Sequence, residues 1–332
     1  MLIGSQLPQA AWADIRAGDM VMTLHEIESP RTDTGDLAIG FNQVKRMHSR
    51  KVRTLIGHQQ VDVGLKCLPS LLRFSAEPMT PVLHDDGTLD SEDCARLVAA
   101  LPGALIVRRN EADSRVEPLL ARYPKCREYR RQHPLALKLL DMPLLEPNDL
   151  AYCDSDVLFL KPFTQLFQWS SAGASAIFMQ DIQHAYSLRP WHIYPLGKIR
   201  VPSRVNTGLI FFRAADFDPE FIEWLLGQKQ LEEVFNKRAH WIEQTCWAAL
   251  GWRVGCYVWS RRQFVIANPR MLGLTDATVG IHFVAASRGK LDEFPINGDC
   301  PENYEKAVPI NASPVQSCSA GLLLVQDIMN RF

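Results

Sequence analysis

Between two apolar runs, the segment 150–160, LAYCDSDVLFL, sets Asp154 and Asp156 on either side of Ser155. A strand that ends there delivers both carboxylates at its carboxyl end. Two carboxylates so close repel, and ionising both in a half-buried place is costly without a cation. A hard divalent ion, Mn2+ or Mg2+, relieves the repulsion, takes oxygen ligands and leaves positions open for phosphate oxygens. With 21 Asp in 332 residues, an Asp-x-Asp triplet arises about once by chance. Asp216-Phe217-Asp218 is such a match, because Asp218-Pro219 reads as a helix N-cap followed by proline in the first turn. Apolar flanks on both sides set Asp154 and Asp156 apart from it.

Other residues carry chemistry less sharply. Lys138 lies in HPLALKLLD, where a cation among apolar neighbours needs an anionic partner; a phosphate qualifies, and so does Asp141, one turn on along the same face. His84-Asp85-Asp86-Gly87-Thr88 closes an apolar run, and Gly87 permits a turn close to a ligand. Arg109 follows the next such run. Asn206-Thr207-Gly208 precedes LIFF and has the composition of a turn. Glu243-Gln244 opens a helical stretch, where an acid also complements the helix dipole. His282 sits in the apolar stretch GIHF, followed by the basic turn Ser287-Arg288-Gly289-Lys290.

These residues are placed by an alternation of strands and helices. Strands are predicted at 52–57, 80–84, 104–107 and 150–153, and later at 174–180, 209–213, 253–259 and 280–284. Leu65, Leu68, Leu71 and Leu72 recur at helical spacing, with the helix proper starting near Pro69. Asp90 and Asp93 have the spacing of a helix start. Val116, Leu119, Leu120 and Tyr123 form one helix face, and 136–141, 219–226 and 243–250 are further helices. The pattern predicts an α/β fold, a mostly parallel sheet with helices on both sides. Ligands on such sheets sit at the carboxyl ends of the strands, where the candidate residues fall.

Composition narrows the function classes. The chain is 47% hydrophobic and 22% charged, with 36 basic against 37 acidic residues and a net charge of -1. That balance lacks the basic surplus of a nucleic-acid binder. The eight cysteines form no Cys-x-x-Cys pair, which argues against structural zinc and for a reducing compartment. The N-terminal residues do not pattern as a signal peptide, and no apolar run approaches the ~18 residues of a membrane span. The expectation is a cytoplasmic protein without a transmembrane segment.

The segments LAYCDSDVLFLKPF, RVNTGLIFFR, WIEQTCWAALG and GIHF, in that order, resemble nucleotide-sugar glycosyltransferases of the GT-A fold. They are nearest to the family-8 type, which includes lipopolysaccharide hexosyltransferases and glycogenin. The resemblance covers about 52–290 and implies a GT-A domain, a Rossmann-like mixed and mostly parallel sheet. Residues 1–51 are then an N-terminal extension, and 291–332 a C-terminal segment packing on the domain. It implies Asp154, Asp156 and His282 as ligands of Mn2+ (or Mg2+), and a nucleoside-diphosphate sugar as donor, a UDP-sugar being favoured. Lys138, Asp85, Asp86, Arg109, Ser155 and Lys290 would bind the donor. Asn206, Glu243 and Gln244 would act near the reacting carbon. Ser287-Arg288-Gly289-Lys290 departs from the family's Gly-x-x-Lys-Pro-Trp run, so either Arg288 or Lys290 would clamp the diphosphate. Asp85-Asp86-Gly87 resembles a segment of inverting family-2 enzymes, whereas the family-8 likeness favours retention. The acceptor, a glycan, a lipid-linked sugar or a protein, would be chosen by loops such as 180–204 with Trp191, His192 and Tyr194. Two rival readings are a haloacid-dehalogenase-like phosphatase, which also places Asp-x-Asp after a strand, and a GT-A scaffold that binds nucleotide-sugar or glycan without turnover.

Overall fold

Burial on both faces marks the first strand, β1 (Arg50–Ile56), as an interior strand of a helix-covered sheet. The computed structural model describes residues 49–169, 171–188, 199–228, 232, 239–267, 274–294 and 304–315. After β1 come α1 (Val61–Phe74), β2 (Met79–Asp85), α2 (Ser91–Ala100), β3 (Leu105–Val107), α3 (Arg109–Leu119), α4 (Pro124–Gln132) and α5 (Leu135–Leu144). Strands β4 (Leu150–Cys153), β5 (Val157–Phe159), β6 (Phe163–Thr164), β7 (Ala176–Gln180) and β8 (Val205–Phe212) follow. The remainder is α6 (Pro219–Leu226), α7 (Ile242–Val254), β9 (Cys256–Trp259), β10 (Phe264–Ile266), β11 (Gly280–His282), β12 (Val308–Pro309) and β13 (Ala312–Pro314).

The main sheet has eight strands in the order β13-β9-β7-β8-β4-β1-β2-β3. All run parallel except β8 and β13. This is the mixed, mostly parallel sheet flanked by helices that the sequence predicts. The chain leaves β1 towards β2 and β3, then returns to lay β4 on the other side of β1. That reversal opens a crevice outside the carboxyl ends of β1 and β4. A second sheet, β10-β11-β5, stands beside it. One apolar cluster, with Trp247, Phe178 and Phe212, packs beneath α5 and α7; another, with Phe159, Phe211 and Trp259, fills the opposite face.

Four local predictions are corrected. Helix α1 starts at Val61 and carries Pro69 inside it; burial of Val61, Cys67, Leu68 and Leu71 outweighs the hydrogen bond that proline removes. The series from Val116 to Tyr123 does not ride one helix, because α3 ends at Leu119 and Tyr123 caps α4 ahead of Pro124. Strand β8 begins at Val205, so Asn206-Thr207-Gly208 lies within the strand and not before it. Helix α7 continues to Val254 before Gly255, at φ 104°, turns the chain into β9. A side chain at Gly255 would also meet the Gly173 carbonyl at 2.5 Å. The Asp90–Asp93 capping box and the Asp218 N-cap form as predicted.

Strands β12 and β13 pair with β6 and β9. Residues 1–48, and with them nearly all of the predicted extension, lie outside the described residues, as do 316–332. Among the described residues no helix is long and apolar enough to cross a membrane.

Candidate active site

Strand pairing explains how three distant residues meet. Asp154 and Asp156 occupy the turn between β4 and β5. Strand β11 runs antiparallel to β5 with His282 opposite Val157, which sets the imidazole beside Asp156. The Phe283 N–H donates to the Asp156 carbonyl at 2.9 Å and closes that register. His282 Nε2 lies 3.1 Å from Asp156 Oδ1 and 3.6 Å from Asp154 Oδ2. One ligand atom from each of the three residues falls within 4.8 Å of the others. Adjacent ligands of an octahedral ion with bonds of ~2.1 Å stand about 3 Å apart, so this oxygen, oxygen and nitrogen set fits a small divalent ion.

The orientation of His282 is fixed from behind. Asn206 Oδ1 accepts the Gly208 N–H at 2.9 Å, and Asn206 Nδ2 donates to Asp181 Oδ2 at 3.0 Å. The atom facing His282 Nδ1 at 2.9 Å is therefore an acceptor, so Nδ1 carries a hydrogen and Nε2 is the nitrogen turned towards the carboxylates. Gly208 makes room for the ring: a Cβ there would stand 2.4 Å from His282 Nδ1. A register shift between Phe178 and Met179 in β7, opposite the start of β8, accommodates this segment.

Two side-chain cations pair with the carboxylates. Lys138, buried on α5, donates to Asp154 Oδ1 and Oδ2 at 3.0 and 3.1 Å and to Thr207 Oγ1 at 3.3 Å. It lies 4.7 Å from the centre of the Tyr152 ring, whose hydroxyl donates to Asp154 Oδ1 at 2.5 Å. Burial opposes the Lys138 ammonium, but Asp154 and Glu243 outweigh it and hold its pKa above the ordinary value. Arg288 sets Nε and Nη2 on Asp156 Oδ2 at 2.9 and 2.8 Å. Burial works against the Asp156 carboxylate, yet His282 and Arg288 bring its pKa down to about 2. The same neighbours act on His282: burial disfavours its charge, but Asp156 and Asp154 hold its pKa above the usual imidazole range.

Asp141 is not the partner of Lys138, contrary to one reading of their spacing. Arg130 takes both Asp141 oxygens at 2.7 Å in a buried bidentate pair. Lys138 is thereby left to the site.

Glu243 and Gln244, in the first turn of α7, are buried against β8. Thr207 Oγ1 donates to Glu243 Oε2 at 3.1 Å, while Oε1, 3.7 Å from Lys138 Nζ, has no hydrogen-bond partner. Burial pushes the Glu243 pKa up to about 7 despite the neighbouring lysine. Gln244 is tied at both ends, accepting the Thr207 N–H at 3.2 Å and donating to the Ala185 carbonyl at 2.8 Å.

These groups, the Arg130–Asp141 pair apart, border a cavity of about 1130 Å3 at the carboxyl ends of β1 and β4. Ser155, Asp86, Arg288 and Lys290 also line it; Asp85 and Arg109 do not. Asp85 accepts the Gly87 and Leu89 N–H groups at 2.7 and 3.1 Å and faces Arg108 at 3.3 Å, so it shapes the turn after β2. Arg109 pairs with Asp113 at 2.8 Å and reaches the Asp86 carbonyl at 3.3 Å. Asp86 fits against Gly57, where any Cβ would collide with its carboxylate. Tyr152, Thr207 and Asp181 are site residues that the sequence reading missed; Tyr152 meets Asp154 two residues on, whereas Thr207 and Asp181 gain their partners from other elements, Lys138, Glu243 and Asn206. Trp191, His192 and Tyr194 lie outside the described residues. Among the described residues one other group, His58 with Asp90 and Asp93, has metal-ligand proximity, but there Asp93 and Asp90 form the α2 capping box under an exposed imidazole.

The chain matches no protein-family profile and no curated protein. Solved structures of similar backbone include mouse xyloside xylosyltransferase 1, with 11% identity over 70% of this chain and 97% of that one, at a TM-score of 0.48. The galactosyltransferase LgtC in complex with donor and acceptor sugar analogues has 10% identity over 73% and 94%, at 0.44. The mannosyltransferase Ktr4p from S. cerevisiae has 10% identity over 73% and 74%, at 0.41.

Proposed function

We propose that this protein is a metal-dependent glycosyltransferase that moves a sugar, most simply a hexose, from a nucleoside-diphosphate sugar to an acceptor hydroxyl. A UDP-sugar is the favoured donor. The observation that carries the reading is the convergence of Asp154, Asp156 and His282 on the floor of a large cavity at the switch point of the sheet. Those three residues would hold Mn2+ (or Mg2+), which when bound neutralises charge on a departing diphosphate. The third, nitrogen ligand and the mid-chain position of the pair favour the transferase over a phosphatase that opens on Asp-x-Asp.

The chain's own residues complete the site. Arg288 and Lys290, on the 3-10 helix Ala285–Glu293 at the cavity edge, add positive charge where a diphosphate would leave. Lys138 stays buried and keeps the Asp154 carboxylate oriented through two short contacts. Glu243 is the group able to act at the reacting carbon. With its pKa near neutrality and Oε1 in ion-pair range of Lys138 but without a hydrogen bond, it can accept an acceptor proton, the inverting role, or as carboxylate stabilise an oxocarbenium-like centre, the retaining role. Asn206 serves through His282 and Gln244 through Thr207, so both are positioning residues in this reading.

Titration calorimetry with UDP and with GDP, each with and without Mn2+, tests the reading against the double variant Asp154→Ala, Asp156→Ala. Micromolar binding that requires the metal and disappears in the folded double variant is expected. Failure of both nucleotides to bind the folded wild-type protein overturns the proposal.

A further inference from the structure

Beyond Glu243 the cavity wall changes character. His133, Pro134, Leu135, Ala185, His240 and Trp241 line it there and bring no carboxylate, ammonium or guanidinium group. The floor, by contrast, holds both carboxylates of the metal set together with Lys138 and Arg288. The volume of about 1130 Å3 exceeds the 300–1,000 Å3 of a pocket for one small ligand, which leaves room for a second beside the donor.

The uncharged wall is built at the start of two helices. Pro134 and Leu135 open α5, one turn before Lys138, and Trp241 is the N-cap of α7, two residues ahead of Glu243. His133 is held by stacking on Tyr129, with ring centres 6.0 Å apart and planes at 25°. Its Nδ1 accepts the Leu135 N–H at 3.3 Å, so the hydrogen of the neutral ring sits on Nε2. Burial and the nearby His240 hold its pKa below the ordinary value, which keeps the ring neutral at pH 7. His240 is exposed and packs against the half-buried Trp241 at 4.9 Å between centres.

The Trp241 indole packed on the His240 imidazole, with the His133 ring on the same wall, supplies aromatic surface beside ring nitrogens. That combination suits a ring with C–H groups on one face and hydroxyls at its rim, and it brings no lysine or arginine for a phosphate. We infer that this wall is the acceptor subsite and that it receives a neutral sugar ring of a glycan or glycoside, with the accepting hydroxyl directed to Glu243. The inference rests on the transferase reading and adds to it the chemical class of the acceptor.

The test applies the wild-type protein with UDP and Mg2+ to an array of neutral glycans, acidic glycans and lipid phosphates. Neutral glycans are expected to bind. Trp241→Ala should lower that binding at least 10-fold and Trp241→Phe less than 3-fold, with UDP affinity by calorimetry the same in all three. His240→Ala, at an exposed position, should weaken glycan binding 3-fold or more and keeps the test valid if Trp241→Ala does not fold. The inference is overturned if the variants bind neutral glycans like the wild type, if only phosphate-bearing spots bind, or if no spot binds. Glycan binding through Trp241 in a protein that does not bind UDP would instead remove the transferase reading and leave the wall as a sugar site.

Discussion

Nδ1 of His282 and Oδ1 of Asn206 lie 2.9 Å apart, and the Gly208 N–H on the same oxygen decides which of the two donates. The imidazole tautomer is thus set by a backbone amide acting through a side-chain amide. Its other nitrogen, Nε2, faces Asp156 and Asp154, the direction a metal ligand requires.

Asn206→Ala removes that brace without touching a proposed ligand. Mn2+ affinity should fall 10- to 100-fold, the usual cost of losing an outer partner of a ligating histidine. Mn2+ titration followed by electron paramagnetic resonance checks this. An affinity within 2-fold of wild type would show that Asn206 does not orient the ring.

Gly208→Ala acts on the same ring by bulk. The added methyl would sit 2.4 Å from Nδ1 and 2.5 Å from Cε1, so the imidazole must move. Overpacking of this kind costs ~1–3 kcal/mol of stability, and metal binding should be lost with it. Denaturant unfolding and Mn2+ titration of one preparation separate the two effects.

Glu243 gives a pH dependence whose sign is fixed by its burial. Its pKa is about 7 in the folded protein against an ordinary 4.5. Between those values the folded chain holds a proton that the unfolded chain has released. This contribution therefore lowers stability as pH rises through that window, and the loss persists above it. Glu243→Gln has no proton to lose. It should match the metal-free wild type near pH 4.5 and exceed it at pH 8 by roughly 1–3 kcal/mol. Equal stability differences at the two pH values in urea unfolding would contradict this.

Arg130 of α4 and Asp141 form a buried pair that ties α4 to the helix carrying Lys138. Arg130→Met leaves Asp141 buried without its bidentate partner and should cost ~3–5 kcal/mol. The double variant Arg130→Met, Asp141→Leu should recover much of that loss, since replacing a whole buried pair with apolar groups is often near neutral. A double-mutant cycle by chemical denaturation measures the difference. Additive losses would show that the two residues are not coupled.

The sequence carries the Asp154–Asp156 pair openly because both its spacing and its apolar flanks are local. The alternation that yields the main sheet is legible for the same reason. What escapes is pairing across elements. Helical spacing offers Asp141 to Lys138, whereas the sheet brings up Asp154 and Thr207 and a neighbouring helix claims Asp141 with Arg130. Asn206-Thr207-Gly208 reads as a turn because asparagine and glycine are poor strand formers. It lies in β8 because Gly208 must admit a ring from β11. Asp85 and Arg109 stand at strand ends as a binding site would ask, yet their hydrogen bonds go to the local turn and helix.

The pairing of β5 with β11 also has a consequence in time. The two carboxylates of the proposed metal set come from the β4–β5 turn, but the imidazole arrives only with β11, much later in the chain. During synthesis the strands that precede β11 can emerge and begin to fold while the proposed ligand set is still incomplete. A nascent chain that stops short of β11 carries the acidic pair without its nitrogen partner. Under the proposed assignment, metal capture through all three residues would report that β11 has docked on β5.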